Sequence, residues 1–150
     1  RLFFIDKQVK LHIKNAPHQA ITLRKHPEHD LGLRTFSITE DFYIPEKDYQ
    51  QLENGKLYRL IDCLNFVKQG DTFVFHSMEY EHYKREGHKT MHWLPVKGNV
   101  DVSILMPNKE LVKGIAEHAA KDLKPDDIVQ FVRFGFSRLD APGKFWYTHE

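Results

Sequence analysis

The chain has 150 residues, with 22 basic and 21 acidic side chains, a formal net charge of +1 and 41% hydrophobic residues. This balance excludes a histone-like cationic tail and an acidic disordered segment, and 11 Phe, 6 Tyr and 2 Trp suffice for a core. No apolar run approaches the roughly 20 residues of a membrane-spanning helix. The single cysteine, Cys63, excludes an internal disulfide and favours a reducing compartment such as the cytoplasm.

The first residues are typical of a strand rather than of a targeting signal. Leu2–Ile5 is an apolar run that follows directly on Arg1. A signal peptide would show a basic start, a longer apolar stretch and a small-residue cleavage site. We therefore expect a segment of a longer polypeptide, whose function includes more than this chain performs.

Alternating polar and apolar residues predict half-buried β-strands along most of the chain. At Val9–Ile13 the odd-numbered residues are apolar and the even-numbered ones polar, and Val100–Met106 alternates in a similar way. Further strands are predicted at residues 20–25, 34–38, 41–44, 57–62, 65–68, 72–80, 89–94, 114–117, 128–139 and 144–148. Short strands at this spacing, separated by Gly, Pro and Asn turns, predict an all-β fold of the barrel or sandwich type.

Helical periodicity is weak and predicts only two short helical turns. Pro45–Leu52 has a proline and acidic residues near its start and ends before Asn54-Gly55. Glu117–Leu123 is rich in alanine but barely two turns long. The predicted fold class is therefore all-β with these two turns.

The near-neutral total charge hides an uneven distribution. Residues 1–25 carry six basic side chains against one acidic, whereas residues 28–62 carry four against eight. Basic residues on the solvent side of strands, interleaved with aromatics, favour nucleic acid as a partner. A solvated strand face is the alternative interpretation.

Metal binding and catalysis are both disfavoured by the sequence. His26 and His29 have a metal-like spacing, but further ligands and a helix signal are missing, so we predict no metal site. The sequence contains no nucleophile elbow, no Walker phosphate-binding loop and no dinucleotide-binding fingerprint. Cys63 lies in an apolar stretch that is typical of an inert buried thiol. We expect no catalytic residues in this chain.

The most distinctive segment is Ile128–Asp140, predicted as one strand. Gln130, Val132, Phe134, Phe136 and Arg138 would then share one face, and Arg133 would lie on the other. Gly135 inside it indicates a bulge or a close backbone approach. Planar amide and guanidinium donors beside aromatic rings suit splayed single-stranded bases, so Gln130, Arg133 and Arg138 are candidate nucleic-acid contacts.

These residues belong to a longer series of motifs. Residues 129–140 read Val-Gln-Phe-Val-Arg-Phe-Gly-Phe-Ser-Arg-Leu-Asp and are followed by Phe145–His149. Upstream lie, in order, Gln8–Leu11, His26-Pro27, Gly32–Arg34, Tyr58–Asp62, Lys89–Pro95 and Val102–Pro107. In these motifs and their order, essentially the whole chain resembles the anticodon-binding region at the C-terminal end of archaeal-type glutamyl-tRNA synthetases.

The resemblance implies a fold and a function. It implies two β-barrels, a discontinuous proximal barrel of residues 1–22 and 88–150 and an inserted distal barrel of residues 23–87. The family attaches glutamate to tRNA(Glu) with ATP and magnesium, but its catalytic motifs are absent here. This segment is therefore expected to bind the anticodon stem-loop of tRNA(Glu) without cofactors, while a catalytic domain of the same polypeptide uses ATP and magnesium.

The resemblance also implies roles for individual residues. Arg59 matches a reader of an anticodon base, and Gln130 matches a glutamine that pairs with the central base. Arg34 matches an arginine near the anticodon backbone, and Lys47 lies in a turn that replaces a longer loop of glutaminyl relatives. Lys10 and Lys14 would position the RNA backbone without reading its sequence.

Two alternatives remain open. The chain could be a protein-interaction β-barrel of a synthetase complex, with exposed strand edges as its surface. The parent enzyme could also have glutaminyl-type or non-discriminating tRNA specificity. Steep salt dependence would distinguish RNA binding from protein docking.

Overall fold

The computed structural model describes residues 1–26 and 28–150. Strands make up 52% and helices 11% of it, which confirms the all-β class. The strands are β1 (Phe4–Ile5), β2 (Gln8–Lys14), β3 (Gln19–Arg24), β4 (Leu33–Ile38), β5 (Asp41–Pro45), β6 (Leu57–Leu60), β7 (Asn65–Gln69), β8 (Thr72–Ser77), β9 (Gly87–Met91), β10 (Leu94–Pro95), β11 (Val100–Leu105), β12 (Leu111–Ala116), β13 (Ile128–Phe131), β14 (Gly135–Ala141) and β15 (Lys144–His149). The helices are α1 (Glu46–Gln50), α2 (Tyr80–Glu86) and a 3₁₀ helix (His118–Asp122).

One sheet of six strands closes into a barrel. Its strand order is β1-β12-β11-β15-β14-β13. At the far edge the Leu2 amide donates to the Gln130 carbonyl oxygen (2.9 Å), and the Val132 amide donates to the Leu2 carbonyl oxygen (3.0 Å). Because β1 continues directly from Leu2, the same segment pairs with both edge strands. Closure removes the free edges that would otherwise invite pairing with other chains.

A second sheet has seven strands in the order β10-β5-β2-β8-β7-β6-β9, and β3 and β4 form a separate hairpin. The sheet's two edge strands, β9 and β10, are joined by only His92 and Trp93. Three Cα–Cα steps of 3.8 Å keep these edges within about 11 Å of each other, so the sheet is strongly curved. The predicted barrel boundaries, between residues 22 and 23 and between residues 87 and 88, fall inside β3 and β9. Moreover, β2 belongs to the predicted proximal barrel but pairs with β5 and β8, which belong to the predicted distal barrel. The two-barrel division stays a prediction.

The segment before β2 serves both cores. Leu2 and Phe4 are buried in the core of the six-stranded barrel, whereas Phe3 and Ile5 are buried in the core of the seven-stranded sheet. Successive residues of an extended segment point to opposite faces, so a short strand can serve two cores at once. This explains why Leu2–Ile5 is apolar at every position instead of alternating.

The prediction of a single strand over residues 128–139 is wrong. β13 ends at Phe131, a tight turn follows, and β14 begins at Gly135. Arg133 has a φ of 63° in the left-handed region, which is incompatible with an extended strand. Val132 and Phe134 therefore do not share the predicted face. The predicted close approach at Gly135 is confirmed, since a Cβ there would lie 2.6 Å from the ring of Tyr147.

Two of the three helices lie where the sequence predicts a helical turn. The turn predicted at Pro45–Leu52 is α1, with Pro45 as its N-terminal cap, and the turn predicted at Glu117–Leu123 is the 3₁₀ helix. The strand predicted over residues 72–80 ends at Ser77, and α2 follows it. Its aromatic residues favour strands, which hid this helix from the sequence analysis. Within residues 1–26 and 28–150, no helix has the length and apolarity to cross a bilayer.

Gly114 gives a first test of the packing between β12 and β1. A Cβ on Gly114 would overlap the carbonyl oxygen of Ile5, which is backbone and cannot rotate away. We expect Gly114→Ala to lower the free energy of unfolding by about 1–3 kcal/mol through overpacking, measured by urea denaturation. Lys113→Ala, at the neighbouring exposed position, is the control. Equal stability of the two variants would contradict the close approach.

Candidate nucleic-acid interface

A cationic cleft of about 570 Å³ lies beside β3, β4 and β6. Four arginines and a single carboxylate, Asp62, line it, together with walls that include Phe3, Ile61 and Val132. The arginines are Arg1, Arg24, Arg34 and Arg59. We call this the arginine cleft. Guanidinium groups beside apolar and aromatic walls suit an anionic, planar ligand such as a nucleotide.

Arg34 lines this cleft but is held by the protein. Its Nε donates to Glu117 Oε1 (2.7 Å) and its Nη2 to Glu117 Oε2 (3.0 Å), while Nη1 donates to the Arg24 carbonyl oxygen (2.9 Å). Its guanidinium carbon also lies 4.8 Å from the ring centroid of Phe3. Arg34 and Glu117 are 6% and 1% exposed, so this is a buried ion pair that joins the β3–β4 hairpin to the six-stranded barrel. The predicted contact of Arg34 with RNA stays a prediction.

Arg59 is 7% exposed and is held by one end of its guanidinium. Nη1 donates to Asn65 Oδ1 (3.0 Å) and to the Met78 carbonyl oxygen (3.0 Å). Its guanidinium carbon lies 5.6 Å from the ring centroid of Tyr80. Among the described residues, Nε and Nη2 donate to no protein acceptor. A fixed arginine with spare planar donors is pre-organised to recognise a base edge or a phosphate.

Gln130 lies in an adjoining cleft. This cleft, of about 360 Å³, shares Arg1 with the arginine cleft, and we call it the amide cleft. Its other lining residues include Lys25, Leu31, Ile128 and Phe136, and the two carboxylates Asp122 and Asp127. Arg1 Nε donates to Gln130 Oε1 (3.0 Å), so the two clefts meet at this hydrogen bond. The fold therefore brings Arg34, Arg59 and Gln130 to one continuous concave surface.

The sequence analysis missed two residues of this surface, Arg1 and Arg24. Arg24 lies at the end of β3, where it is exposed. The excess of basic residues in 1–25 was the available signal, but it did not single out these two. Only the packing of β3 and β4 against the rest of the chain brings them beside Arg59.

Arg133 lies in a different place. Its Nη1 and Nη2 donate to the two carboxylate oxygens of Asp48, each over 2.8 Å. Lys89 Nζ lies 2.9 Å from Asp48 Oδ1. Burial raises the pKa of Asp48, but the hydrogen bonds from Arg133 and Lys89 outweigh it and hold the pKa below its ordinary value. This network ties α1 to the β13–β14 turn and to β9, which gives Arg133 a structural role beside its predicted one.

His92 completes this network, and its contacts define its tautomer. Nδ1 lies 3.1 Å from Nη1 of Arg133 and Nε2 lies 2.9 Å from the Phe4 carbonyl oxygen. A guanidinium can only donate, so Nδ1 accepts and Nε2–H donates. Burial, assisted by the charge of Arg133, lowers the pKa of His92 to about 4. The buried imidazole is therefore neutral at physiological pH.

The remaining candidates are spread over the surface. Lys10 and Lys14 are exposed on one face of β2, and Lys47 is exposed on α1 beside Arg133. Arg138 lies on the outer face of β14, with its guanidinium carbon 5.2 Å from the ring centroid of Trp146. None of these four lines the arginine cleft or the amide cleft. Their predicted contacts with RNA stay predictions.

The other groups considered for chemistry are placed as follows. Cys63 is buried, as expected, and burial raises the pKa of its thiol to about 12. The rings of His26 and His29 are stacked with centroids 4.5 Å apart, and His26 Nδ1 accepts the backbone N–H groups of Glu28 and His29. His26 Nδ1 is thus engaged by the turn.

A closed barrel beside a curved sheet, with guanidinium groups in an open cleft, is typical of β-barrel domains that bind nucleic acid. The chain belongs to the family of anticodon-binding domains of class I tRNA synthetases (E and Q). Two family models of this description match it, one over residues 1–74 and the other over residues 64–140. Together they include the elements that form both clefts.

Curated relatives support the same assignment. The chain is 35% identical over 155 residues to a glutamate–tRNA ligase of Methanothermobacter thermautotrophicus, an alignment that covers 100% of this chain and 27% of that protein. It is 36% identical to the glutamate–tRNA ligase of Methanocaldococcus jannaschii, with 93% of this chain and 26% of that protein covered. The chain thus spans about a quarter of the length of these relatives.

Proposed function

We propose that this chain is the part of a glutamate–tRNA ligase that recognises the anticodon stem-loop of tRNA(Glu). In this proposal, another domain of the same polypeptide attaches glutamate to the tRNA with ATP and magnesium in the cytoplasm. The arginine cleft is the observation that carries the proposal, because the guanidinium groups of Arg1, Arg24 and Arg59 outnumber its single carboxylate, Asp62, while Arg34 is already paired with Glu117. The names of the aligned relatives support glutamate as the amino acid.

Recognition would proceed without bond making or breaking in this chain. The anticodon loop unstacks, and its bases enter the arginine and amide clefts, where the walls include Ile61, Leu31 and Phe136. Arg59 donates from Nε and Nη2, and Gln130 offers an amide that can both donate and accept. Each stacked base contributes about 1–3 kcal/mol, and each good bidentate pair discriminates by a similar amount in duplex DNA.

Positioning and reading belong to different residues in this proposal. Exposed lysines such as Lys10, Lys14 and Lys47 contact phosphates and set the register of the RNA. The described residues hold no group of three or more His, Cys, Asp or Glu side chains that could bind a metal ion. In this proposal the magnesium chemistry belongs to the remainder of the polypeptide, and no step in this chain depends on it.

Arg24 provides the sharpest test of the cleft because it is exposed and its removal leaves the core intact. In the complete ligase polypeptide we expect Arg24→Ala to weaken tRNA(Glu) binding by about 1–3 kcal/mol, the range for a charge-assisted contact. Formation of glutamyl adenylate should be unchanged. Chemical footprinting of the tRNA(Glu) anticodon loop and filter binding at several salt concentrations measure the effect.

Arg85→Ala is the matched control, since it removes the same charge from exposed α2 outside both clefts. It should lower affinity less than Arg24→Ala does. The anticodon loop should be protected by the wild-type protein and affinity should fall steeply with salt. An anticodon loop whose reactivity is unchanged by the complete polypeptide would reject the proposed function, as would a salt-independent interaction.

A further inference from the structure

A row of exposed side chains crosses the outer face of the six-stranded barrel in register. Leu111 pairs with Leu105, Leu105 with Trp146, Trp146 with Arg138, and Arg138 with Ile128. The four steps between neighbouring strands span about 19 Å. We call this set the outer row. Large side chains on the outside of a sheet indicate a contact surface when they are contiguous.

Trp146 is the aromatic centre of the outer row. It is 46% exposed, and the guanidinium carbon of Arg138 lies 5.2 Å from its ring centroid. Arg138 also lies 3.5 Å from Asp126, a carboxylate whose side chain is 85% exposed, so that pair is weak. The indole is thus backed by a cation, while much of its surface is open to a ligand.

Further cations flank the row on the same face. Lys113 of β12 and Lys144 of β15 both pair with Ser103 of β11, one step from the Leu105 position. Both lysines are exposed, and Asp101 lies one further step away on β11. Arg138 and Lys144 are nearer to Trp146 in the sheet register than Asp101 is, and Asp126 offsets part of the charge of Arg138. The three cations outnumber these two carboxylates, which complements a phosphate backbone.

The outer row is continuous with the amide cleft. Ile128 ends the row and also lines that cleft, together with Gln130 and Phe136. Gln130 pairs with Phe136, whose ring stacks on His149 with centroids 4.5 Å apart. Trp146 lies two strands across the sheet and two residues along it from Gln130, about 12 Å away. An RNA strand that leaves the amide cleft along this face therefore meets the indole next.

We propose that Trp146, backed by Arg138, is a stacking platform for an unpaired nucleotide of the RNA that occupies the two clefts. The proposal rests on the proposed function and adds a contact that accepts any base, because every base offers a π-face. The flanking phosphates reach Lys144 and Lys113. The aromatic and cationic groups next to the amide cleft favour RNA over a protein partner. Only the Leu105–Leu111 end of the outer row is apolar enough to suit a protein.

The test uses the complete ligase polypeptide and a tRNA(Glu) anticodon stem-loop with 2-aminopurine placed in turn at each loop position. Trp146→Ala should weaken binding about fivefold to 150-fold, the range that stacking of one base supplies. Trp146→Phe should retain most of the affinity because it keeps a π-face. At one loop position the wild type should quench the fluorescence of 2-aminopurine, and Trp146→Ala should not. Leu111→Ala, at the far end of the outer row, should bind as the wild type does.

Three outcomes would overturn the platform. If Trp146→Ala binds normally while Arg24→Ala binds weakly, the platform is wrong and the proposed function stands. If the wild type does not bind the stem-loop, both fail. Iodide quenching, compared between wild type and Trp146→Phe, reports Trp146 alone. If iodide cannot reach Trp146 in the RNA-free polypeptide, protein covers the face and the platform is wrong.

Discussion

Glu117→Ala is expected to lower the free energy of unfolding by about 3–5 kcal/mol, because it leaves the buried guanidinium of Arg34 without a counter-charge. Glu117 accepts hydrogen bonds from Arg34 Nε and Nη2 and from the Phe3 amide. All three donors lose their acceptor in the variant, in a place where water has little access. Urea denaturation of wild type and variant at pH 7 measures the difference.

Two variants make this result specific. Asp126→Ala breaks the exposed pair with Arg138 and should cost at most about 1 kcal/mol. The double variant Arg34→Met, Glu117→Leu removes both buried charges and should recover much of the loss. A loss for Glu117→Ala as small as that for Asp126→Ala would show that the Arg34–Glu117 pair does not hold the β3–β4 hairpin to the barrel.

Stability is expected to fall by about 3 kcal/mol as the pH drops from 6.5 to about 4, because His92 is neutral in the folded state. Its pKa is about 4 in the folded protein against an ordinary value of 6.5, so the unfolded chain binds the additional proton in this interval. The contribution of His92 is complete above pH 6.5. Asp48, whose pKa is lowered, adds a loss only below its ordinary value of 3.8.

The measurement is urea denaturation of wild type and His92→Gln at pH 7 and pH 4.5. The glutamine cannot take up the proton, so the variant should lose less stability between these two values. His18→Gln, which replaces an exposed histidine, should follow the wild type. An NMR titration that places the pKa of His92 near 6.5 would contradict the buried neutral imidazole.

Arg34 and Arg133 are two candidate RNA contacts whose carboxylate partners could not be predicted from the sequence. Both are cations in family-like motifs, and sequence alone cannot tell an arginine that faces RNA from one that faces a carboxylate. Their partners, Glu117 and Asp48, lie 83 and 85 residues away along the chain. Such distant pairs have no local pattern. Arg59 and Gln130, by contrast, line the two clefts without pairing to a carboxylate of the described residues.

The hydrophobic alternation by itself determined the all-β class and most strands, since a period of two reflects the local geometry of an extended backbone. The proline and acidic residues at its start determined the helical turn at Pro45. The ordered motifs also pointed to the family. Tertiary structure alone decided that Arg133 lies in a turn between two strands, that Leu2–Ile5 joins two cores, and that Arg24 and Arg59 share a cleft. These features depend on contacts between residues far apart in the chain, and no local sequence pattern predicts the free energy of such contacts.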